Sequence, residues 1–352
     1  IYQPGKPIEE VKKEYNLTDV IKLASNENPF GSSKAVREAI LEECSNLAIY
    51  PDGGAISIRQ ALAEHYGLSM EQIIMGNGSD EIVQQITRTY LEPGTNSVMA
   101  SPTFSMYKIN VVIEGAEARE VPLIDGVHDL EAMLAQIDEQ TRVVWICNPN
   151  NPSGTYVNQK ELERFLERVP KDVLVVLDEA YYEYVEAADY PESIPLLAKY
   201  PNLIILRTFS KIYGLAALRI GYGLASKAIV NQLNHVREPF NTSRVAQAAA
   251  IAALKDQAFV EECKRKNREG LKQYYAAFER LGLFYYPSQT NFVLVDLKMP
   301  GNEAFEQLLR QGIIVRSGEA LGFPTCIRIT VGTAEQNEKV IQALTKLVQN
   351  RS

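Results

Sequence analysis

Short runs of strand-like composition alternate with helical patterns through the first two thirds of the chain. Several of these runs are apolar throughout, as in parallel strands that are covered by helices on both faces. The alternation therefore predicts an α/β fold with a mostly parallel central sheet flanked by helices, whose ligands bind beyond the carboxyl ends of the strands. The runs are QIIMG at 72–76, NSVMA at 96–100, RVVWIC at 142–147, VLVVLD at 173–178 and LIILRT at 203–208.

The pattern changes from about Ser243. Long helical segments, VAQAAAIAAL and the charged stretch at 259–281, are followed by the short apolar runs NFVLVDL, GIIVR and CIRITVG. This pattern predicts a smaller α+β domain, and 352 residues with 46% hydrophobic side chains suffice for two domains. We therefore divide the chain into an N-terminal arm at 1–30, a large domain at 31–242 and a small domain at 243–352.

Composition argues against several classes of function. The 36 basic and 44 acidic residues give a net charge of -8, which is atypical of a general nucleic-acid or anionic-membrane binder. The opening residues IYQPGKPIEE lack the basic and apolar regions of a signal peptide, and no apolar run approaches the roughly 18 residues of a membrane span. We expect a cytoplasmic protein that binds neither nucleic acid nor membrane.

The positions of cysteine and histidine argue against a metal site and against histidine-based catalysis. The cysteines are far apart, form no Cys-x-x-Cys pair, and are expected to be reduced and buried. The histidines lie outside the motifs that follow the strands, which argues against a zinc site or a histidine triad. These residues are Cys44, Cys147, Cys263 and Cys326, and His65, His128 and His235.

Two loops that follow predicted strands carry polar groups suited to a ligand. After QIIMG, a glycine turn leads into a helix that starts at Ser79, Asp80 and Glu81, and the free amides of a helix start can hold a phosphate. An ordinary N-cap is the simpler interpretation of this motif alone. After RVVWIC, NPNNPSG at 148–154 contains two prolines that restrict the backbone and can direct an asparagine amide over the sheet edge.

An acid and a lysine follow two further strands. Asp178 of DEAYYEY ends an apolar strand, with Tyr181 three residues on, and such a carboxylate needs a buried positive partner. Lys211 follows Thr208 and Ser210 just past the next strand, where a buried lysine can become a nucleophile; a solvated loop lysine is the alternative. A phosphate site, an acid and an amine together match pyridoxal 5'-phosphate, whose ring nitrogen needs the acid and whose aldehyde needs the amine.

The motifs YPDG, NGSDE, SPTFSMY, NPNNPSG, DEAYYEY, TFSK and LRIGYG, in this order and spacing, span nearly the whole chain. On this combination the chain resembles the fold-type I pyridoxal-phosphate-dependent aminotransferases and, more closely, the histidinol-phosphate aminotransferase family. YQPGKP and SNENPFG resemble that family's N-terminal arm, which packs on the small domain and on a partner subunit and reaches the substrate. The resemblance implies a homodimer with shared active sites.

The resemblance implies roles around the cofactor ring. Lys211 would form the Schiff base with pyridoxal 5'-phosphate and carry a proton between substrate and cofactor, while Asp178 would pair with the ring nitrogen. Tyr181 and Asn151 would hydrogen-bond the ring hydroxyl. Tyr107 would stack on the ring face, with core packing as the competing interpretation.

The resemblance also implies sites for the two anionic ends. The cofactor phosphate would be held by the residues Ser79, Asp80, Thr208, Ser210 and Arg219, with Tyr50 contributed by the second subunit. The substrate would be clamped by Arg328, whose planar fork suits a carboxylate or a phosphate. The remaining residues implied for substrate contact are Arg316, Tyr2, Asn26, Tyr50 and Asn151.

The reaction implied is reversible amino transfer between L-histidinol phosphate and 2-oxoglutarate, which gives imidazole-acetol phosphate and glutamate in histidine biosynthesis. Two alternatives stay open. An aromatic pocket beside an arginine clamp would also suit an aromatic amino acid aminotransferase acting on phenylalanine or tyrosine, or an enzyme of dual specificity. A non-catalytic aminotransferase-like sensor would need a DNA-binding segment, and we find no basic helix-turn-helix in this sequence.

One position departs from the family's pattern. The family commonly reads LAGLR where this chain has LAALR at 215–219. Alanine is strained at positive φ, whereas glycine is not. We therefore expect strain at Ala217 if that position requires positive φ.

Overall fold

A mixed sheet lies at the centre of the chain, as the strand-like runs predict. The computed structural model describes residues 1–351. Its strands are β1 Ile21–Lys22, β2 Ile73–Gly76, β3 Asn96–Ser101, β4 Glu117–Pro122, β5 Thr141–Cys147, β6 Leu174–Asp178, β7 Leu203–Thr208, β8 Gly221–Ala225, β9 Phe284–Tyr285, β10 Phe292–Asp296, β11 Ile313–Ile314, β12 Arg316–Ser317 and β13 Cys326–Thr330.

Helices flank this sheet and make up much of the rest of the chain. They are α1 Ile8–Tyr15, α2 Lys34–Glu43, α3 Ile56–Tyr66, α4 Ser79–Tyr90, α5 Met106–Ile113, α6 Leu130–Ala135, α7 Gln159–Arg168, α8 Leu196–Lys199, α9 Lys227–Asn234, α10 Arg244–Lys255, α11 Gln257–Leu281, α12 Gly301–Leu309 and α13 Ala334–Gln349.

The large sheet has the strand order β2–β8–β7–β6–β5–β3–β4. The pairs from β4 to β7 are parallel, whereas β8 runs antiparallel to both β2 and β7. The predicted α/β fold with a mostly parallel sheet is therefore confirmed. In register, Cys147 pairs with Asp178, and Asp178 with Leu206, so the loops after β5, β6 and β7 leave the sheet side by side.

Strands β4 and β8 are absent from the runs that the sequence predicts. Strand β4, EAREVP, is polar and lies at the sheet edge, and β8, GYGLA, is rich in glycine. Tertiary contact explains the first glycine of β8, because a Cβ on Gly221 would lie 2.6 Å from the backbone nitrogen of Ser79. Close approach of β8 to the start of α4 therefore requires glycine there.

A second, antiparallel sheet with the order β12–β13–β10–β9 forms the core of the C-terminal part. The N-terminal segment joins this part, since β1 pairs with β11 and Leu23 packs among its buried side chains. The switch between the two main cores falls within α11, because Cys263 packs with the large sheet and Leu271 with the small one. The predicted domain boundaries at 30 and 242 stay predictions.

A buried ion pair lies behind the ends of β6 and β7. Nη2 of Arg207 and Oε1 of Glu179 are 3.0 Å apart, and at most 1% of either side chain is exposed. The hydroxyl of Ser193 donates to Oε1 at 2.7 Å, and that of Tyr190 donates to Oε2 at 2.9 Å. The same hydroxyl lies 2.5 Å from the backbone oxygen of Asn148, so its single proton is shared between the two acceptors. The cluster therefore connects the loops after β5 and β6 with β7.

Membrane spans, metal ligands and cysteine burial are three further features on which the composition bears. In the described part of the chain, no helix is both long and apolar enough to cross a membrane. Over the same residues, no group of three or more His, Cys, Asp or Glu side chains is arranged to hold a metal ion. The expectation of buried cysteines is wrong for Cys44, which is exposed where α2 ends at the surface, whereas Cys147, Cys263 and Cys326 are buried.

Candidate active site

A cavity of about 500 Å³ lies where the carboxyl ends of β5, β6 and β7 face the N-terminal segment and the small sheet. Strand ends that lie side by side bring residues far apart in sequence to one edge. The cavity contains most residues that the sequence predicts for a site, namely Tyr2, Asn26, Ser79, Asp80, Asn151, Asp178, Tyr181, Thr208, Ser210, Lys211, Arg219, Arg316 and Arg328.

Asp178 ends β6 on the wall of this cavity, with 5% of its surface exposed. Its Oδ2 accepts a hydrogen bond of 2.5 Å from the hydroxyl of Tyr107. Within residues 1–351, its Oδ1 is buried without a hydrogen-bond partner. Burial raises the pKa of this carboxyl to about 6; the bond from Tyr107 opposes the shift and the charge of Asp80 adds to it. A buried oxygen left unpaired beside a cavity indicates a ligand with a hydrogen-bond donor.

Lys211 follows β7 and is half-buried in the cavity. Its Nζ lies 5.6 Å from the ring centroid of Tyr181. Burial lowers the pKa of this amine to about 8; the guanidinium of Arg328 also lowers it, and the carboxylate of Asp80 raises it. The neutral, nucleophilic amine is therefore accessible closer to neutral pH than in an exposed lysine.

The N-terminal segment reaches the site through Asn26. Its Nδ2 donates to the hydroxyl of Tyr181 at 2.8 Å, and its backbone N–H donates to Oγ1 of Thr330 at 2.9 Å. Burial raises the pKa of Tyr181, whereas Arg328 and the bond from Asn26 lower it. This network joins the N-terminal segment, the small sheet and the loop after β6.

A second polar region of the cavity surrounds the start of α4. Ser79 begins that helix after Gly78, whose φ is 75°. A Cβ on Gly78 would lie 2.5 Å from Nη2 of Arg219, so glycine leaves the space that the guanidinium occupies. Nη1 of Arg219 donates to Oγ of Ser210 at 3.3 Å, and Nη2 lies 3.9 Å from Oδ2 of Asp80. A helix start, a hydroxyl and a cation in one place suit a phosphate.

The turn between Lys211 and Arg219 does not place strain on Ala217. Ala217 lies in the 3-10 turn Ala216–Leu218, and the left-handed conformation falls on Arg219, with φ 52°. Alanine needs no left-handed backbone at its own position, so the condition for strain at Ala217 is not met. Thr208 supports the start of the turn, because its Oγ1 accepts from the backbone N–H of Ser210 at 3.0 Å.

Arg328 projects from β13 and is 7% exposed. Nη1 donates to Oδ1 of Asn151 at 2.7 Å, and Nη2 donates to the backbone oxygen of Ala24 at 2.9 Å. Among the residues that the structure describes, Nε is buried and unpaired. Burial lowers the pKa of Arg328 to about 10, so the guanidinium stays charged at neutral pH. A buried cation with a free donor beside a cavity suits an anionic ligand.

Arg316 and Tyr2 lie on the outer side of the cavity. Nη2 of Arg316 donates to the backbone oxygen of Gln3. The guanidinium carbon lies 5.9 Å from the ring centroid of Tyr2. About half of Tyr2 is exposed, so the first residues of the chain form a partly open wall that carries a second cation.

The structure corrects the expected position of Tyr107. Its ring is 0% exposed and stacks on Trp145, with centroids 4.8 Å apart and 15° between the planes, so it lies behind Asp178 and not on the cavity surface. The aromatic side chain that lines the cavity is Phe104, which sequence reasoning missed. Both aromatics belong to SPTFSMY, but Phe104 precedes the N-cap Ser105 whereas Tyr107 lies in the first turn of α5, and no local pattern shows which of the two rings faces the cavity.

Tyr50 lies outside the residues that line this cavity. It is 74% exposed, and its ring stacks on Phe240 with centroids 4.5 Å apart. Its predicted contribution to the site of a second subunit stays a prediction.

The side chains of the cavity fit pyridoxal 5'-phosphate. Asp178 offers an unpaired acceptor for a protonated ring nitrogen, and Lys211 offers an amine for an aldehyde. The region between Gly78 and Arg219 offers a cation and a helix start for a phosphate. The arginines of the small sheet leave separate cations for the anionic end of a second ligand.

Comparison with known proteins agrees with this chemistry. The family described as aminotransferase class I and II matches residues 18–344. Histidinol-phosphate aminotransferase of a Geobacillus species is 65% identical over 350 residues, covering 99% of this chain and 96% of the relative. That of Brevibacillus brevis is 63% identical over 348 residues, covering 99% and 96%.

A solved structure shows the same similarity in three dimensions. The crystal structure of histidinol-phosphate aminotransferase from Sinorhizobium meliloti in complex with pyridoxal-5'-phosphate superimposes with a TM-score of 0.92 at 31% identity. The match covers 99% of this chain and 96% of that one. The similarity therefore extends over both sheets.

The raised pKa of Asp178 predicts a pH-dependent difference in stability between the cofactor-free protein and Asp178→Asn. The folded carboxyl binds its proton more tightly than the unfolded one, with pKa about 6 against 3.8. The wild type should therefore lose about 3 kcal/mol relative to the variant as pH rises through this window. Unfolding free energies measured from pH 4 to 8 check this.

Asp172, an exposed aspartate just before the opposite end of β6, supplies the control for this measurement. Asp172→Asn should follow the wild-type curve at every pH. Parallel curves for wild type and Asp178→Asn would contradict the assigned environment of Asp178.

Proposed function

The chain belongs to the class I and II aminotransferase family, and we propose that within it the chain is a histidinol-phosphate aminotransferase. It reversibly transfers the amino group between L-histidinol phosphate and 2-oxoglutarate, with pyridoxal 5'-phosphate as cofactor. The observation that carries this proposal is the meeting, in one cavity, of the unpaired oxygen of Asp178, the amine of Lys211 and the buried cation of Arg328. Identities of 63–65% over nearly the full chain to relatives of that name support it.

The residues at the large sheet's edge would hold the cofactor. When bound, pyridoxal 5'-phosphate supplies an electron-withdrawing ring that stabilises negative charge on the carbon that loses a proton. Oδ1 of Asp178 would hold the ring nitrogen in its protonated form, and Tyr181 and Asn151 would donate to the ring hydroxyl. Ser210 and Arg219, with the amides at the start of α4, would hold the phosphate.

Lys211 would hold and move the proton at its Nζ. Its lowered pKa, about 8, allows the amine to accept a proton and return it near neutral pH. Thr208 and Ser210 limit the movement of the backbone before it, because the amide of Ser210 is bonded to the side chain of Thr208. The backbone from which Lys211 projects is therefore fixed by the residues that precede it.

Arg328 would bind the anionic end of each substrate in turn. Histidinol phosphate presents a phosphate and no carboxylate, whereas 2-oxoglutarate presents two carboxylates, and a guanidinium accommodates either. The bonds to Asn151 and Ala24 orient the guanidinium before the substrate arrives. Arg316 would add a second positive charge, and Tyr2 and Asn26 would complete the wall.

We further propose a homodimer in which Tyr50 of each chain serves the other chain's site. The support is that Tyr50 is exposed and stacks on the exposed Phe240, and that Leu47, Ile49 and Ile56, which are close to it in sequence, are exposed as well. Several exposed large apolar side chains in one region of the sequence favour an interface. Light scattering should give about twice the 39.4 kDa of one chain; a monomeric mass at micromolar concentration would contradict the shared site.

The substrate assignment is tested with the purified protein and pyridoxal 5'-phosphate. Histidinol phosphate and 2-oxoglutarate should give glutamate, and Lys211→Ala should lower kcat at least about a thousandfold because no other amine replaces the proton carrier. Lys171→Ala is the control and should retain wild-type turnover, because Lys171 is exposed and lies just before β6 begins. A much higher kcat/KM for phenylalanine than for histidinol phosphate would instead favour the aromatic amino acid aminotransferase.

Arg328→Ala tests whether one clamp serves both substrates. Loss of a charge-assisted hydrogen bond costs about 1.5–3 kcal/mol, so kcat/KM should fall about tenfold to a hundredfold for histidinol phosphate and for 2-oxoglutarate alike. Arg310→Ala, at an exposed arginine, should change neither value. A loss confined to one substrate would show that the other binds elsewhere.

A further inference from the structure

The acid that faces the cavity is itself held from behind by a phenol. We propose that Tyr107 is a positioning residue, whose hydroxyl holds Oδ2 of Asp178 so that Oδ1 is presented to the ring nitrogen of bound pyridoxal 5'-phosphate. The inference rests on the proposed function for its catalytic consequence. Its structural part, the control of Asp178 by Tyr107, is independent of the substrate.

The two oxygens of Asp178 have different surroundings. Oδ2 lies 2.5 Å from the hydroxyl of Tyr107, whereas Oδ1 is unpaired among residues 1–351. A carboxylate accepts hydrogen bonds on both oxygens, and a buried one without a partner is costly. Because Tyr107 occupies one oxygen, the other is the acceptor available to a ligand.

The phenol has little freedom to move. Its ring stacks on Trp145 and meets the ring of Phe104 edge to face, with centroids 5.4 Å apart and 78° between the planes. Nε1 of Trp145 donates to Oγ of Ser97 at 2.7 Å, and this hydroxyl donates to the backbone oxygen of Val143 at 2.8 Å. The hydroxyl of Tyr107 is therefore located by side chains of β3 and β5.

The position of Phe104 links this arrangement to the cavity wall. Phe104 lines the cavity on one side and touches the ring of Tyr107 on the other. Tyr107 therefore makes two contacts: its hydroxyl binds Asp178, and its ring packs on Phe104. A substitution that keeps the ring and removes only the hydroxyl separates these two contacts.

Several ionisable groups affect the pKa of Asp178. Among those that stabilise its charged form, the hydroxyl of Tyr107 has the largest effect. Burial raises the pKa of Asp178, and the charges of Asp80 and Glu179 raise it further. The bond from Tyr107 lowers it. The thiol of Cys147 stays protonated at neutral pH, since burial raises its pKa to about 12. Without the phenol hydroxyl, the acid should therefore take up its proton at higher pH.

Tyr107→Phe tests the inference, because it deletes the hydroxyl and retains the stacked ring. We expect kcat to fall about tenfold to a hundredfold, whereas KM for 2-oxoglutarate should change less than about threefold. This combination is expected because the hydroxyl affects the reacting centre and not the binding of the substrate. With ¹⁵N-labelled pyridoxal 5'-phosphate bound, the nitrogen resonance should report loss of the ring proton at lower pH than in the wild type. Unchanged kcat together with an unchanged nitrogen titration would overturn the inference.

The cofactor-free protein supplies a readout that does not depend on the reaction. The difference in unfolding free energy between Tyr107→Phe and the double variant Tyr107→Phe/Asp178→Asn should be measured against pH. The pH at which this difference levels off should be at least about one unit higher than for the same comparison in the wild-type background. If histidinol phosphate proves not to be a substrate but this shift occurs, the proposed function fails and the positioning role stands. If turnover is as proposed but the shift is absent, the positioning role fails alone.

Tyr274→Phe is the matched control. Tyr274 is 0% exposed, lies in the small sheet's core, and its hydroxyl has no hydrogen-bond partner among the residues described. Its loss should leave kcat and the titration of Asp178 unchanged. Tyr107→Phe combined with Asp178→Asn should behave like Asp178→Asn alone, and additive losses in kcat would contradict action through Asp178.

Discussion

The buried pair of Glu179 and Arg207 is the constraint on which the geometry of the site depends. Arg207 and Thr208 are consecutive in β7, so one side chain points behind the sheet and the other toward the cavity. Glu179 directly follows Asp178, and Tyr190 extends the cluster to the loop after β5. Removing one partner of a buried ion pair typically costs about 3–5 kcal/mol. The strand ends that carry the candidate site are thus held together by charges that lie outside the lining of its cavity.

Two buried polar groups that line the cavity are left without hydrogen-bond partners among the described residues. Oδ1 of Asp178 and Nε of Arg328 are both buried and unpaired within residues 1–351. One lies on the large sheet and the other on the small sheet, and the bond between Arg328 and Asn151 bridges them. The cost of unpaired buried groups is offset when ligands supply partners, so the cavity is preorganised for one ligand at each end.

Local sequence was sufficient for the parts of the fold and site that depend on neighbours along the chain. The apolar runs predicted β2, β3, β5, β6 and β7, because burial on both faces leaves that pattern in any sequence. Local sequence was insufficient for β8, because Gly221 is required by its close approach to the backbone of Ser79, which is distant in sequence. It was also insufficient for Ala217, because the backbone conformation there depends on the path of the turn to Arg219. Tyr107 was likewise expected on the cavity surface, where Phe104 lies instead, because the direction of each ring depends on where α5 begins.

By itself, the sequence determined the fold class, the family resemblance, and the residue types that end each strand, including Asp178 and Lys211. These properties follow from hydrophobic periodicity and from motifs of a few adjacent residues. Only the tertiary structure decided which oxygen of Asp178 is free, that Tyr107 holds the other, and that Arg328 reaches Asn151 from 177 residues away. Burial and hydrogen-bond partners arise between distant segments, so no local pattern specifies them.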